Sequence, residues 1–164
     1  MLGRTKAALS GLSALFLAGA LHAAPATPVF VAKAGASDLY ERQASQLIAG
    51  STRDPRIRRF ANDMIRDHTK STQMVKAAAL RSGLHPRPPR LDWQQRRMIT
   101  ELRRAHGRSR DTIYLNQQQQ AHAQALGLMR DYAATGSVRA LRRTASNIVP
   151  VIQHHIQMLT DIRR

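Results

Sequence analysis

Four ionisable side chains in this sequence each fall in the middle of an otherwise apolar helical stripe. The last stripe is the clearest, because every step along it is three or four residues: it comprises Val138, Leu141, Ala145, Ile148, Ile152, His155, Leu159 and Ile162. Comparable stripes place Glu41, His68 and His122 on the inward side of three other segments. Each of four helices therefore directs one potential ligand, a carboxylate or an imidazole, into the core.

One carboxylate and three imidazoles form a ligand set that suits Zn, Fe, Mn or Cu better than Ca or Mg. The sequence thus predicts a metal site made of Glu41, His68, His122 and His155, with Asp67 orienting an imidazole from outside the ligand set. A paired di-iron site is not expected, because such sites need two Glu-x-x-His motifs. The alternative is a buried polar network in which Glu41 pairs with a histidine and the remaining groups are hydrogen-bonded.

Other chemistry has little support in the sequence. Without cysteine, there is no thiol nucleophile, thiolate metal site or disulfide, and we find neither a glycine-rich phosphate loop nor a Gly-x-Ser-x-Gly elbow. We therefore expect no catalytic residues and a protein that is not an enzyme. Three further histidines lie off the stripes and should be solvated: His85, His106 and His154. Trp93 is expected to anchor a short helix onto the core.

The elements that must position these side chains are all helices. Alternating strand patterns are absent, and helix-favouring residues dominate. We predict long helices over 29–50, 55–82, 109–134 and 138–162, the last with a kink at Pro150. Between the second and third, a proline-rich segment and a short helix over about 92–106 form a long crossover. Two helical hairpins joined in this way indicate a ferritin-like four-helix bundle.

The N-terminus has the layout of a secretory signal peptide. Arg4 and Lys6 precede an apolar stretch that ends near Ala23, and that stretch is shorter than a membrane-spanning helix needs. We expect residues 1–23 to be cleaved as a signal peptide, 24–28 to form a linker, and 29–164 to form one helical-bundle domain without a transmembrane span. The protein would then be periplasmic or secreted.

The chain is strongly basic. Its 26 Lys and Arg residues against 10 Asp and Glu residues give a net charge of +16, and loss of residues 1–23 removes two bases and no acid, which leaves +14. An exported protein meets little nucleic acid, so we expect no nucleic-acid partner, but anionic envelope polymers or lipid headgroups instead. Arginines at the two ends of the helices would provide the contacts: Arg53, Arg56, Arg58, Arg59, Arg139, Arg142 and Arg143.

Several of these residues together resemble a known bacterial family of exported proteins, the "domain of unknown function 4142" (DUF4142) family. The most specific part is Phe-Ala-x-x-Met-Ile-x-Asp-His-Thr at 60–69, together with the later spaced histidines His122 and His155. The resemblance covers about 29–162 and implies a ferritin-like bundle. It also implies that Glu41, Asp67-His68, His122 and His155 recur in the family, which has no established activity.

Three functions are compatible with this reading. The first is a non-catalytic exported bundle that binds a transition metal and acts in envelope metal handling or stress protection. The second is a structural or adhesion module that binds anionic envelope components through its arginine-rich helix ends. The third is a ferritin-type redox metalloenzyme. Two features disfavour it: four protein ligands on one metal leave few open positions, and the paired Glu-x-x-His motifs are absent.

Overall fold

Five α-helices make up the computed structural model, which describes residues 23–164. They are α1 (Thr27–Ala49), α2 (Pro55–Arg81), α3 (Trp93–Arg104), α4 (Gly107–Thr135) and α5 (Arg139–Arg163). Within this range there is no strand, which confirms the predicted all-α class. All but the last residue of the predicted signal peptide lies outside the described residues. Across 23–164, no helix is both long and apolar enough to cross a membrane.

Local sequence signals account for the helix boundaries. Asp54 caps α2 by accepting a hydrogen bond from the backbone N–H of Arg56, and Pro55 occupies the first helical position. After α2 the chain turns at Gly83, whose φ of +74° lies in the left-handed region that glycine favours. A reciprocal capping box between Asp92 and Gln95 starts α3.

The four long helices form a bundle in which α1 and α5 each pack between α2 and α4. Helices α1 and α4 are antiparallel: Thr27 at the start of α1 bonds to Tyr132 near the end of α4, whereas Ser45 bonds to Tyr114 near the start of α4. The crossover from α2 passes α1, where Pro89 lies against Gly35. Helix α3 then packs on α1 and α4. This is the predicted ferritin-like connectivity.

Two apolar clusters fill the bundle, one towards each end. The first includes Phe30 and Tyr132, whose rings stack 3.7 Å apart; the second includes Phe60, Met64 and Tyr114. On every long helix, buried polar residues separate the two clusters, and this polar layer consists of Asp38, Glu41, His68, Ser71, Gln118, His122 and His155. The polar layer therefore lies in the middle of the bundle, between the two apolar clusters.

Two features of α3 and α5 bear on the expectations from sequence. Trp93 does not anchor α3, because its side chain is 63% exposed. Ile99 and Leu102, on the opposite side of the helix, bury themselves against the bundle instead. Helix α5 continues through Pro150 to Arg163.

Candidate metal centre

Three of the four predicted ligands come together in the polar layer. His68 on α2, His122 on α4 and His155 on α5 each offer a ring nitrogen, and these three atoms lie within 4.8 Å of one another. The imidazoles are between 1% and 5% exposed. Their ring centroids are 5.3 to 5.6 Å apart.

His68 is held by a carboxylate from the neighbouring helix. Its Nδ1 lies 2.9 Å from Oδ1 of Asp38, and Oδ2 of Asp38 accepts a hydrogen bond of 2.9 Å from the hydroxyl of Thr72. With Asp38 as acceptor, Nδ1 carries the proton and Nε2 is the nitrogen available to a ligand. That Nε2 is buried and has no hydrogen-bond partner among residues 23–164.

His122 is held by its own helix. Its Nδ1 lies 2.9 Å from the backbone carbonyl oxygen of Gln118, one turn earlier in α4. A carbonyl only accepts hydrogen bonds, so Nδ1 of His122 is the donor and Nε2 keeps its lone pair.

His155 is held by Asp67, the residue predicted to orient an imidazole. Its Nε2 lies 3.1 Å from Oδ2 of Asp67, and the Arg66 guanidinium donates to both oxygens of that carboxylate at 2.9 and 3.1 Å. Burial acts to raise the pKa of Asp67, but the hydrogen bonds from Arg66 and His155 outweigh it and lower that pKa. Asp67 is therefore an anion that needs a donor from Nε2 of His155, which leaves Nδ1 of His155 with the lone pair.

The two lone pairs point at each other. Nε2 of His122 and Nδ1 of His155 are 3.3 Å apart, while the protons of both neutral rings are committed to Gln118 and Asp67. Burial and the neighbouring His68 lower the pKa of His122 to about 3 and that of His155 to about 4, so both rings are neutral at physiological pH. Two facing nitrogen lone pairs repel unless a cation lies between them.

His68 behaves differently from the other two histidines. Burial alone would lower its pKa, but the hydrogen bond to Asp38 and the charge of Glu41 outweigh burial and raise it. The polar layer thus stabilises positive charge at this ring, because Asp38, Glu41 and Asp67 all surround it.

Glu41 lies beside the three histidines and outside their set of converging nitrogens. Its Oε1 is 3.6 Å from Nδ1 of His122, the nitrogen already bonded to Gln118. Within the described part of the chain, neither carboxylate oxygen has a hydrogen-bond partner. Burial raises the pKa of Glu41 to about 7. Its role as a fourth ligand remains a prediction.

Access to the site is narrow. A crevice of about 20 Å³ borders His68 and His155 and is lined by Asp38, Asp67 and apolar residues of α4 and α5. That volume is about the size of one water molecule. Asp67 is the one member of the site with a partly exposed side chain, at 23%.

Two of the groups that hold the histidines were not predicted from the sequence. Asp38 precedes Glu41 by three residues on α1, but it lies beside the stripe of apolar residues in the sequence, so the spacing of that stripe did not select it. The carbonyl of Gln118 carried no side-chain signal. His85, His106 and His154 are exposed, as expected.

Comparison with known proteins supplies a family and a fold. The family model described as "Domain of unknown function (DUF4142)" matches residues 15–162. The crystal structure of a protein described as secreted, DUF305, from Streptomyces coelicolor is similar, with a TM-score of 0.65 and 15% identity over 84% of this chain and 91% of that one. This likeness supports the helical fold. No curated protein matches the chain.

Proposed function

We propose that this chain, which belongs to the DUF4142 family of domains of unknown function, binds one transition-metal ion through His68, His122 and His155. The observation that carries the proposal is the convergence of the three rings: one nitrogen of each lies within 4.8 Å of the other two, and each ring also has a nitrogen beside a hydrogen-bond acceptor that holds it in place. Metal-binding histidines in proteins are held in the same way.

The spacing of the nitrogens supports the same proposal. Two nitrogens bound at about 2.0–2.1 Å to one tetrahedral ion lie about 3.3 Å apart, and Nε2 of His122 and Nδ1 of His155 are 3.3 Å apart. Three imidazoles suit Zn, Cu or Fe, and a neighbouring carboxylate extends the set to Mn. The three carboxylates around the histidines would offset the charge of a divalent cation.

The alternative of a purely structural polar network is less consistent with the hydrogen bonding. A stable buried network satisfies its members, yet within residues 23–164 the carboxylate of Glu41, Nε2 of His68 and the side-chain amide of Gln118 lack partners. A cation bound by the three histidines would engage Nε2 of His68, and its charge would offset that of the neighbouring Glu41 carboxylate.

We further propose that the protein stores or senses metal and does not catalyse a reaction. The three rings are almost fully buried, and the crevice beside them has room for about one water molecule. A substrate larger than this could not reach the ion without opening the bundle. The features of residues 1–23 favour export, which would place this activity in the cell envelope.

The binding experiment uses metal-free protein titrated separately with Zn²⁺, Cu²⁺, Fe²⁺ and Mn²⁺, the last two without oxygen. Calorimetry gives affinity and stoichiometry, and elemental analysis after dialysis identifies the retained ion. We expect one ion per chain for at least one of these metals. Absence of tight binding by all four would refute the proposal.

A matched pair of variants tests the assignment to these rings. His122→Gln removes one ligand, and His154→Gln removes a neighbouring exposed histidine outside the cluster. We expect His122→Gln to lose at least about 100-fold in affinity and His154→Gln to bind like the parent. Equal affinities for both variants would place the metal elsewhere. Peroxide turnover by the loaded protein would contradict the non-catalytic role.

A further inference from the structure

The outer side of α3 carries an exposed tryptophan among arginines. Trp93 is the one tryptophan of the chain and the most exposed of the large apolar residues in the described range. Leaving so large a side chain in water forgoes the stabilisation that its burial would give. One exposed apolar side chain is ordinary on a protein surface, so the significance of Trp93 depends on the charged residues around it.

The helical register gathers the arginines beside this tryptophan. Trp93, Arg97, Thr100 and Arg104 follow one another at spacings of four, three and four residues and so form one line along α3. Arg96 and Arg103 flank that line. These six residues, all exposed, are called the α3 outer face below.

The charge of this face is strongly one-sided. It contains four arginines, and the single acid of α3 is Glu101, which already accepts a hydrogen bond of 2.8 Å from Gln117. The Arg97 guanidinium lies over the indole of Trp93, 5.6 Å from the ring centroid.

No element within residues 23–164 covers the α3 outer face. Helix α3 contacts α1 and α4 and buries Ile99 and Leu102 on its opposite side. An open cleft of about 1100 Å³ runs along α3 beside α4, lined among others by Trp93, Arg97, Arg104 and Gln120. The face is therefore presented on the outside of the bundle, along its length.

We infer that the α3 outer face binds the surface of an anionic phospholipid bilayer. Tryptophan partitions into the headgroup region of membranes with its ring in the apolar boundary and its N–H in the polar layer. Arginines on the same line attract anionic headgroups, each adding to the affinity. The surface is separate from the histidine cluster, so its occupancy does not depend on a metal.

A bilayer fits this face better than a nucleic acid does. Proteins that bind single strands stack several successive bases on several aromatic side chains. Among residues 23–164, Trp93 is the only exposed aromatic side chain. The other aromatic residues of this range are buried: Phe30, Tyr40, Phe60, Tyr114 and Tyr132. The α3 outer face instead combines one tryptophan, which suits the headgroup region, with arginines that attract anionic headgroups.

The single tryptophan provides the experiment, because the protein's tryptophan emission comes from Trp93 alone. The full chain is mixed with vesicles of equal parts phosphatidylglycerol and phosphatidylcholine, or with vesicles of phosphatidylcholine only. We expect the anionic vesicles to shift the emission to shorter wavelength and to shield it from iodide, and the neutral vesicles to do neither. Added salt should reverse the effect, because screening weakens the attraction.

Matched variants test whether this face is responsible. Arg97→Gln/Arg104→Gln removes two charges from the α3 outer face, and Arg139→Gln/Arg143→Gln removes two exposed charges from the start of α5. We expect the first pair to weaken vesicle binding about 25-fold, at about fivefold for each arginine, and the second pair to weaken it far less.

The remaining outcomes would overturn the inference. Equal losses in both double variants would show that net charge alone drives binding. No spectral shift with anionic vesicles, or Trp93→Gln sedimenting with them as well as the parent, would remove Trp93 from the contact. A shift produced by single-stranded DNA and not by vesicles would assign the face to a nucleic acid. Circular dichroism of each variant checks that the bundle is folded.

Discussion

Nε2 of His122 and Nδ1 of His155 face each other at 3.3 Å with no proton to share. Three contacts follow one another here, from the Gln118 carbonyl to His122, from His122 to His155 and from His155 to Asp67, and each needs one proton to be a hydrogen bond. Two neutral histidines supply only two protons. The carbonyl and the carboxylate take both. The unprotonated contact between the rings is the centre of the site. Burial is the first cause of the lowered pKa values of both histidines, and the charge of the neighbouring His68 lowers them further.

This proton arrangement can be measured directly. In metal-free protein near neutral pH, we expect His122 to be protonated at Nδ1 and His155 at Nε2, since these nitrogens face Gln118 and Asp67. Long-range ¹H–¹⁵N correlation spectra distinguish the two neutral tautomers. Protonation of His155 at Nδ1 would contradict the arrangement and would indicate an ordinary hydrogen bond between the rings.

The carboxylates that hold the rings should tune metal affinity without contributing ligands. Asp38→Asn and Asp67→Asn each remove a charge that orients one imidazole, His68 or His155, and we expect each to weaken binding about 10–100-fold. Asp161→Asn makes the same change of charge on the exposed end of α5 and serves as the control. Titration calorimetry reports all three, and a loss in Asp161→Asn equal to the others would show a general electrostatic effect.

Glu41→Gln should stabilise the metal-free protein and reduce the further stabilisation that a bound metal gives. Burial raises the pKa of Glu41 from its ordinary 4.5 to about 7, so above pH 7 the folded chain must hold a carboxylate that the unfolded chain hydrates freely. Glutamine removes this cost, which is about 3 kcal/mol for a pKa raised by that much.

Urea unfolding at pH 8, with and without metal, tests both expectations. Without metal, we expect Glu41→Gln to be more stable than the parent. With metal, we expect it to gain less from the ion, because the carboxylate beside His122 no longer offsets the cationic charge. A variant that is less stable in both states would show that Glu41 is a favourable structural group in its own right.

The apolar stripes in the sequence located the polar layer because the core of a helical bundle contains few ionisable residues. An ionisable residue on the inward face of a helix is therefore easy to recognise. His68, His122 and His155 were found in this way. Asp38 was not, because the stripe through Ser37 and Glu41 runs beside it and a rotation of one residue changes which side chain faces the neighbouring helix. Register differences of that size are set by packing between helices, which one helix's sequence does not specify.

The overall connectivity was predictable for a related reason. The connection between α2 and α4, with its proline-rich segment before Asp92, is too long for a hairpin turn. It therefore predicts that the second hairpin starts at the end of the bundle opposite to the end of α2. The position of Trp93 was not predictable from this, because tryptophan usually buries its ring and the outward line of α3 became visible only with Ile99 and Leu102 placed inside. This departure from the expected pattern falls on a surface for which we propose a function.

Replacement by alanine should change stability in opposite directions at Gly136, which directly follows α4, and at Gly127, which lies within α4. At Gly136, an added Cβ would lie 2.5 Å from the Tyr132 ring and 2.6 Å from its carbonyl oxygen. That ring stacks on Phe30, and its hydroxyl bonds to Thr27 at 2.7 Å, so it cannot move aside cheaply. We expect Gly136→Ala to lower the free energy of unfolding by about 1–3 kcal/mol.

Gly127 is the control. It lies within α4 with nothing within 4 Å of an added Cβ, so Gly127→Ala should stabilise the protein by about 0.5–1 kcal/mol through helix propensity. Urea unfolding measures both. A stabilising Gly136→Ala would show that Tyr132 has more freedom than its stacking on Phe30 indicates.

Acid should destabilise the metal-free bundle through His122 and His155. Burial lowers their folded-state pKa values below the ordinary 6.5, to about 3 and about 4. Between pH 6.5 and 4, both histidines are therefore protonated in the unfolded chain and neutral in the folded chain. The stability these neutral rings confer is therefore complete above pH 6.5 and falls as pH drops towards 4. Glu41 opposes part of the loss, because its raised pKa makes the folded chain bind one proton more readily.

The net effect near pH 5.5 is about one proton more on the unfolded chain, since His68 is protonated in both states and Glu41 cancels one of the two histidines. This corresponds to a loss of about 1.4 kcal/mol for each pH unit. Unfolding by urea in the presence of a chelator, from pH 7 to 4.5, measures the slope. His155→Gln removes one of the two resisting rings, so its slope should fall close to zero; an unchanged slope would show that other groups control acid unfolding.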